Sequence, residues 1–206
     1  MSDEKEDRLK LVDYEKEVFR TAKVSNELNW IYGIFGEAGE FIDAYKKMAY
    51  TGHPFETNKL LLELGDVLWY NTMCIYSFTE HSLNELVRSY FYFKRDIYSN
   101  KLEYFYTYHD YNFTELSMPD IHIELNKFIF TISNTTKKLI DNCVSEQKKE
   151  VDKNLYDVFY IISEVAYSLN STIEEVAKMN IEKLRRRYPE GFSTERSMNR
   201  EGVKNE

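Results

Sequence analysis

Two pairs of acidic residues lie where the surrounding sequence predicts helix faces directed at a protein core. Glu37 and Glu40 belong to GIFGEAGEFIDAYKK, and Glu63 and Asp66 belong to LELGDVLWY. Residues three apart on a helix share a face, with Cβ atoms about 5–6 Å apart. Four close carboxylates cannot all stay ionised without cations, and hard oxygen ligands suit Mg²⁺, with Mn²⁺ as a substitute. The spacing therefore predicts a divalent metal site. Salt bridges on solvated helix faces are the alternative.

The two acid pairs are expected to converge because their helices are joined by a short turn. TGHP at 51–54 supplies a glycine for the turn and a proline that ends helix continuation. Helices with so short a linker are usually antiparallel neighbours. The small residues Gly36, Ala38 and Gly39 are expected to let a neighbouring helix approach closely.

The histidines argue against an iron site built on the same acids. Di-iron carboxylate bundles use Glu-x-x-His on two helices. None of the 4 histidines in this chain has a glutamate three residues before it. The predicted metal is therefore Mg²⁺ or Mn²⁺.

A basic helix near the C-terminus carries a second set of candidates. Asn180, Lys183 and Arg187 in NIEKLRRRYPEGF fall on one helical stripe. Lys183 and Arg187, four apart, could hold adjacent phosphate oxygens, and Asn180 could hydrogen-bond a phosphate or a metal-bound water. Lys59, one turn before Glu63, is a further phosphate candidate. The alternative is a set of solvated cations, which at the end of a helix also complement its dipole.

Aromatic residues near the acids could form a pocket for a base. Trp30 and Trp69 are the main candidates for stacking, and Asn29 or Asn71 could hydrogen-bond the base edges. Packing in the core is the alternative for each of them.

The composition indicates one all-α domain. The chain has 206 residues with only 7 Gly and 3 Pro, so long helical segments are seldom interrupted. A net charge of −8 argues against broad nucleic-acid binding. No apolar run approaches the roughly 20 residues of a membrane span. The 2 cysteines show no metal or redox spacing, which favours a cytoplasmic protein.

Helical periodicity and capping signals predict seven helices. Capping boxes are expected at Ser82–Glu85 and at Ser171–Glu174. Residues 99–118 predict an aromatic loop, and residues 191–206 predict a C-terminal tail. The helices are expected over residues 8–24, 28–49, 57–79, 82–98, 119–143, 147–169 and 171–187.

Two stretches of the chain are similar to each other, one beginning at Gly65 and one at Tyr156. Both read as an aromatic helix, a serine cap, a glutamate three residues on and another helix. One interpretation is an internal pseudo-dimer with halves at 8–98 and 119–190, in which the first keeps the acids and the second keeps the basic helix. The other is that capped amphipathic helices resemble one another.

The motifs GEAGE, ELGDVLWY and NIEKLRRRYPEGFSTERSMNR resemble those of the MazG-like all-α nucleoside triphosphate pyrophosphohydrolases. The resemblance covers about 28–78 and 150–200. It implies a helical bundle, four metal ligands (Glu37, Glu40, Glu63, Asp66) and a downstream phosphate-binding set (Asn180, Lys183, Arg187). It also implies Mg²⁺-dependent cleavage of a (d)NTP to a (d)NMP and pyrophosphate, in subunits that form homodimers or homotetramers. Short members of the family lack the long central segment that separates the two motifs here.

Two rival functions are compatible with the same residues. One is a non-catalytic helical module that binds nucleotide or a regulatory partner, against which the intact acid quartet argues. The other is hydrolysis of an alarmone such as (p)ppGpp. The sequence does not separate these substrates, because base choice depends on the shape of the pocket.

Overall fold

The fold is all-α, as composition and periodicity predict. The computed structural model describes residues 8–23, 25–79, 81–94, 118–145 and 151–198, and no strand occurs among them. The helices are α1 (Leu11–Thr21), α2 (Glu27–Tyr50), α3 (Thr57–Phe78), α4 (Leu83–Lys94), α5 (Met118–Ser145), α6 (Val151–Ser168), α7 (Ile173–Arg187) and α8 (Thr194–Met198).

Four long helices form the central bundle. α2 packs on α3 and α5 packs on α6, while α2 also contacts α5 and α3 contacts α6. α7 packs on α3, and α4 packs on α6, so the last helix of each predicted half contacts the other half. An internal duplication with exchanged last helices would produce this pairing. The duplication itself stays a prediction.

Apolar stripes at helical spacing form the core between these helices. Leu60, Leu64 and Leu68 recur at helical spacing and are fully buried, so they form the core face of α3. On α2, Phe41 is buried and its ring centroid lies 5.2 Å from that of Phe128 on α5. Burial of these side chains fixes which faces of α2 and α3 point outward and which lie against the rest of the bundle.

Helices α2 and α3 run antiparallel, as their short linker predicts. Gly33 lies against Tyr70, and Glu40 interacts electrostatically with Glu63. Residue numbers thus rise along α2 as they fall along α3. The linker, residues 51–56, includes Gly52 at φ +76°, a conformation that glycine adopts without strain.

Close helix approach depends on other glycines than those expected. Gly36 and Gly39 are exposed, and a Cβ added to either would meet nothing within 4 Å, so the expectation that they admit a neighbouring helix is wrong. Gly33 is the residue of α2 that admits α3, since a Cβ there would overlap the ring of Tyr70. Gly65 does the same for α7, because its Cβ would lie 2.9 Å from the Cβ of Asn180.

Replacing Gly65 by alanine is expected to destabilise the fold by about 1–3 kcal/mol, the usual cost of overpacking. The added methyl would meet the Cβ of Asn180 and, at 3.3 Å, the carbonyl oxygen of Val176, and neither atom can move without shifting α7. The exposed Gly39→Ala change is the matched control. It should stabilise the protein by roughly 0.5–1 kcal/mol through helix propensity. Urea unfolding measures both, and equal effects in the two variants would contradict the close packing of α3 and α7.

One predicted capping box is confirmed and the other is displaced by one residue. Ser82 Oγ accepts from the Glu85 N–H at 3.1 Å, and Glu85 accepts from the Ser82 N–H at 2.8 Å. At α7 the cap is Thr172 with Glu175, so the expected Ser171–Glu174 box is wrong. Glu174 instead accepts from the Leu9 N–H and pairs with Arg8 and Lys178, which anchors the segment before α1.

The remaining predicted elements agree with the described helices or lie outside them. The fourth helix is seen to Lys94. The predicted aromatic loop, 99–118, lies outside the described residues except at Met118, which begins α5. Among the residues that the structure describes, no helix combines the length and apolar character that a membrane crossing requires.

Candidate metal centre

Three carboxylates of α2 and α3 meet at one place. One ligand oxygen from each of Glu37, Glu63 and Asp66 lies within 4.8 Å of the others. The antiparallel register brings them together, since Glu37 faces Asp66 across the helix pair while Glu63 is one turn away on the same face of α3. Three of the four predicted metal ligands are therefore grouped as the sequence predicts.

The fourth predicted ligand, Glu40, lies beside this group and faces solvent. Its charge acts on both Glu37 and Glu63, but its side chain is exposed. Lys59 is exposed as well and acts electrostatically on Glu63 from one turn away. Both residues lie at the rim of the carboxylate group.

Burial and mutual repulsion favour the protonated forms of the grouped glutamates. Burial, together with the charges of Asp66 and Glu40, raises the pKa of Glu37 to about 7, and the ammonium of Lys183 offsets only part of this effect. Burial also raises the pKa of Glu63. The cluster thus contains more acidic groups than nearby cations can neutralise. A divalent cation bound there would reduce the repulsion between these groups.

Helix α7 supplies two side chains to the same cluster. Asn180 Nδ2 donates to Asp66 Oδ1 at 2.9 Å, and the ammonium of Lys183 is paired with Asp66 Oδ2. Asn180 is fully buried, and Lys183 is mostly buried. Two of the three residues of the basic stripe therefore meet the acids, and the site combines residues from both predicted halves.

A buried tyrosine lies behind Asn180, and the sequence interpretation did not include it. Tyr14 of α1 is fully buried, and its hydroxyl lies 3.4 Å from Asn180 Oδ1. Burial, with the charge of Asp66, holds the pKa of Tyr14 well above its usual range, so the hydroxyl stays a donor. The sequence gives little indication of this contact, because Tyr14 belongs to the apolar stripe of α1, where a tyrosine is expected to pack in the core.

A cavity of about 400 Å³ adjoins the carboxylates. Glu37 and Asp66 line one part of it, and Arg187 lines it as well. Arg187 contacts this space rather than the acids, so it is placed to meet a group bound in the cavity. The cavity is thus bordered by two of the metal-binding candidates, Glu37 and Asp66, and by one phosphate-binding candidate, Arg187.

Aromatic side chains form a wall of this cavity, as predicted for Trp30 and Trp69. The two ring centroids lie 5.9 Å apart in an edge-to-face arrangement, and Tyr70 lies 4.8 Å from Trp69. Trp30 is 4% exposed and Trp69 is 9% exposed, so each is mainly a core residue with an edge on the cavity. Each of the two tryptophans therefore packs in the core and also borders the cavity.

The two asparagines considered for base recognition differ in their surroundings. Asn29 is exposed and lines the cavity. Asn71 is fully buried and donates to the carbonyl of Leu155 at 3.2 Å, so it packs α3 against α6 instead. Of these two asparagines, Asn29 alone lines the cavity.

Part of the predicted C-terminal tail folds back over the cavity. Phe192 and Ser197 line it, the latter from α8. Arg20 anchors this segment, since its Nη1 donates to the carbonyl of Tyr188 at 2.6 Å and its carbonyl accepts from the Phe192 N–H at 3.3 Å. Gly191 allows the turn at φ +90°. Phe192 and Ser197 of the predicted tail thus border the cavity, and Thr194–Met198 of that tail forms helix α8.

The donor set fits a hard divalent cation. The grouped side chains offer only carboxylate oxygens, which suit Mg²⁺ and Mn²⁺. Asp66 accepts a hydrogen bond from the amide of Asn180, which orients this carboxylate toward the other two.

Comparisons with models of protein families, with curated proteins and with solved structures gave no match for this chain. The site is therefore interpreted from its own residues.

The metal-free protein is expected to lose stability as pH rises from 5 to 8. Glu37 has a folded-state pKa of about 7 against an ordinary value of 4.5, so its contribution is present at low pH and is lost as pH rises through about 7. Glu37→Gln is neutral at both pH values. In urea unfolding with EDTA, the stability of Glu37→Gln should exceed that of wild type much more near pH 8 than near pH 5, whereas the exposed control Glu190→Gln should show no such increase. A wild-type advantage at pH 8 would contradict the raised pKa.

Proposed function

We propose that this protein is a Mg²⁺-dependent nucleoside triphosphate pyrophosphohydrolase that converts a (d)NTP to a (d)NMP and pyrophosphate. The observation that carries the proposal is the meeting of three carboxylates with Asn180 and Lys183 at a cavity with an aromatic wall. Acids that hold a divalent cation, cations opposite them and an aromatic surface are what a nucleoside polyphosphate site requires. The all-α bundle agrees with the family that the motifs resemble.

Glu37, Glu63 and Asp66 are the residues that would hold the metal. When bound, Mg²⁺ would neutralise phosphate charge and act as a Lewis acid toward a phosphoryl oxygen. Asn180 orients Asp66 through its amide, and it does so from a buried position that solvent does not reach. The chain itself thus supplies a preformed, partly dehydrated set of oxygens.

Glu40 is the residue best placed to orient the attacking water. It lies beside the metal-binding group without belonging to it, and its side chain faces solvent. A carboxylate oxygen there can accept a hydrogen bond from water and, during attack on phosphorus, its proton. Since the α–β phosphoanhydride is the bond broken, the pyrophosphate leaves as the second product.

The cationic side chains and the aromatic wall bind different parts of the substrate. Lys183 and Arg187 bind the phosphate groups, with Lys59 contributing from the rim. Trp30, Trp69 and Tyr70 contact the nucleoside, whose base can pack against their edges. Asn29 is the polar side chain available on the same wall to hydrogen-bond the base or sugar.

A substrate panel tests the proposed activity. Canonical NTPs, dNTPs and (p)ppGpp are incubated with the protein and Mg²⁺, and the products are separated by ion-exchange chromatography. Release of monophosphate and pyrophosphate from at least one triphosphate is expected, and EDTA should stop it. Asp66→Asn serves as the control for contaminating hydrolases. Binding of nucleotide without any hydrolysis would favour the non-catalytic module, and cleavage of (p)ppGpp alone would favour the alarmone hydrolase.

A further inference from the structure

The amide of Asn180 is held at both ends inside the protein. Its Nδ2 donates to Asp66 Oδ1 at 2.9 Å, and its Oδ1 lies 3.4 Å from the hydroxyl of Tyr14. Tyr14 and Asn180 are both fully buried. Three helices, α1, α7 and α3, are thereby joined in one chain of polar contacts that ends at a metal-binding carboxylate.

Packing fixes the Cβ end of the Asn180 side chain, so the amide could change its orientation only by rotating about the last bond of the side chain. Its Cβ packs on Gly65, at a place where an added methyl on the glycine would lie 2.9 Å away. The amide can still rotate, because its oxygen and nitrogen ends are similar in size. A rotated amide would turn its oxygen toward the carboxylate of Asp66, where the two acceptors repel each other. The donors and acceptors around the amide therefore decide its orientation.

A bound cation would weaken one of the two restraints on this amide. In the absence of metal, the negative charge of Asp66 attracts Nδ2. A cation that shares the charge of Asp66 reduces that attraction directly, whereas the Tyr14 hydroxyl contacts Asn180 Oδ1 and makes no such direct contact with that carboxylate. The hydroxyl is then the restraint that keeps Nδ2 directed at Asp66 Oδ1, so that Oδ2, which is paired with Lys183, is the oxygen for which a cation competes.

We propose that Tyr14 is a positioning residue of this site, whose hydroxyl acts through the Asn180 amide to orient the carboxylate of Asp66. The inference rests on the proposed metal-dependent hydrolysis. Loss of a residue that hydrogen-bonds a metal ligand typically costs about 10–100-fold in metal affinity or activity. Tyr14 is one contact further away, so its hydroxyl is expected to contribute about 3–10-fold, which is below that range.

The test is a double-mutant cycle with Tyr14→Phe and Asn180→Ala. Mn²⁺ affinity is measured by electron paramagnetic resonance, and kcat/KM is measured with a triphosphate that the wild-type protein cleaves. Tyr14→Phe is expected to weaken Mn²⁺ binding and lower kcat/KM by about 3–10-fold, but to have no further effect in the Asn180→Ala background. Tyr45→Phe is the matched control, because it removes a buried hydroxyl that contacts His122 at 3.0 Å, away from the site.

The outcomes separate the positioning role from the proposed function. Wild-type Mn²⁺ affinity and kcat/KM in Tyr14→Phe overturn the positioning role, and so does an equal loss in the Asn180→Ala background. A wild-type protein that neither binds Mn²⁺ nor hydrolyses any nucleotide overturns the proposed function, and that failure is seen without any variant.

A measurement on the wild-type protein keeps the inference testable if Tyr14→Phe does not fold. The side-chain amide protons of Asn180, assigned by NMR, are expected to exchange slowly with solvent both with and without Mg²⁺. Fast exchange in the Mg²⁺-bound protein would overturn the claim that the amide stays held.

Discussion

Asp66→Asn is expected to abolish nucleotide hydrolysis and to remove most of the metal affinity. Asp66 joins the carboxylate group to helix α7. It belongs to that group and accepts hydrogen bonds from both Asn180 and Lys183. The substitution keeps the size of the side chain but removes its charge. Loss of several kcal/mol of transition-state stabilisation corresponds to a decrease in kcat of about 10³-fold or more.

Isothermal titration with Mn²⁺ and a pyrophosphate-release assay measure the two effects of Asp66→Asn. Asp43→Asn is the matched control, because Asp43 is also an aspartate of this helix pair but is paired with Lys46 and Lys47 near the surface. It should retain the metal affinity and turnover of the wild-type protein. An Asp66→Asn variant with undiminished Mg²⁺-dependent turnover would show that the metal centre lies elsewhere.

Lys183→Met is expected to change metal binding and nucleotide turnover in opposite directions. In the absence of metal, the ammonium of Lys183 is paired with Asp66 Oδ2 and lowers the negative potential at Glu37 and Glu63. A cation that binds Asp66 competes with this ammonium, so its removal should tighten the binding of Mn²⁺ alone. Because Lys183 is also a proposed phosphate ligand, kcat/KM for a triphosphate should fall by about 10²-fold, as for loss of one preorganised charge-stabilising group.

Lys59→Met is the control that separates a specific ion pair from a general change of charge. It removes the same charge from a lysine that acts on Glu63 but is exposed at the rim. Titration of Mn²⁺ into each variant without nucleotide, followed by steady-state kinetics, compares them. Smaller changes are expected for Lys59→Met in both measurements. Weaker Mn²⁺ binding in Lys183→Met would contradict competition for Asp66.

The helices and their inward faces could be predicted from sequence because they depend on local periodicity. Leu60, Leu64 and Leu68, for example, recur at helical spacing and are buried in α3. The same local rule was less exact for the acids. Residues three apart differ by about 60° around a helix, which is enough for Glu37 to point at the cluster while Glu40 faces solvent. The pattern identified the acidic face without determining how far each acid turns inward.

Capping and glycine patterns show a similar limit. Ser171 and Thr172 are adjacent hydroxyl residues, each followed three positions later by a glutamate, so the sequence allowed two capping boxes. The contact of Glu174 with the segment before α1 leaves the cap to Thr172 and Glu175. Gly36 and Gly39 looked suited to helix contact, but the register of α2 and α3 assigned that role to Gly33.

The sequence by itself determined the all-α class, the helix pair that carries the acids and the separate helix that carries Asn180 and Lys183, because each follows from residue types at short spacing. Only the tertiary structure decided that α7 packs on α3 at Gly65, that Tyr14 lies behind Asn180, and that Phe192 and Ser197 border the cavity. These contacts join residues more than 100 positions apart, as Asp66 and Asn180 are. Local periodicity carries no information about such pairs, since the packing of whole helices selects them.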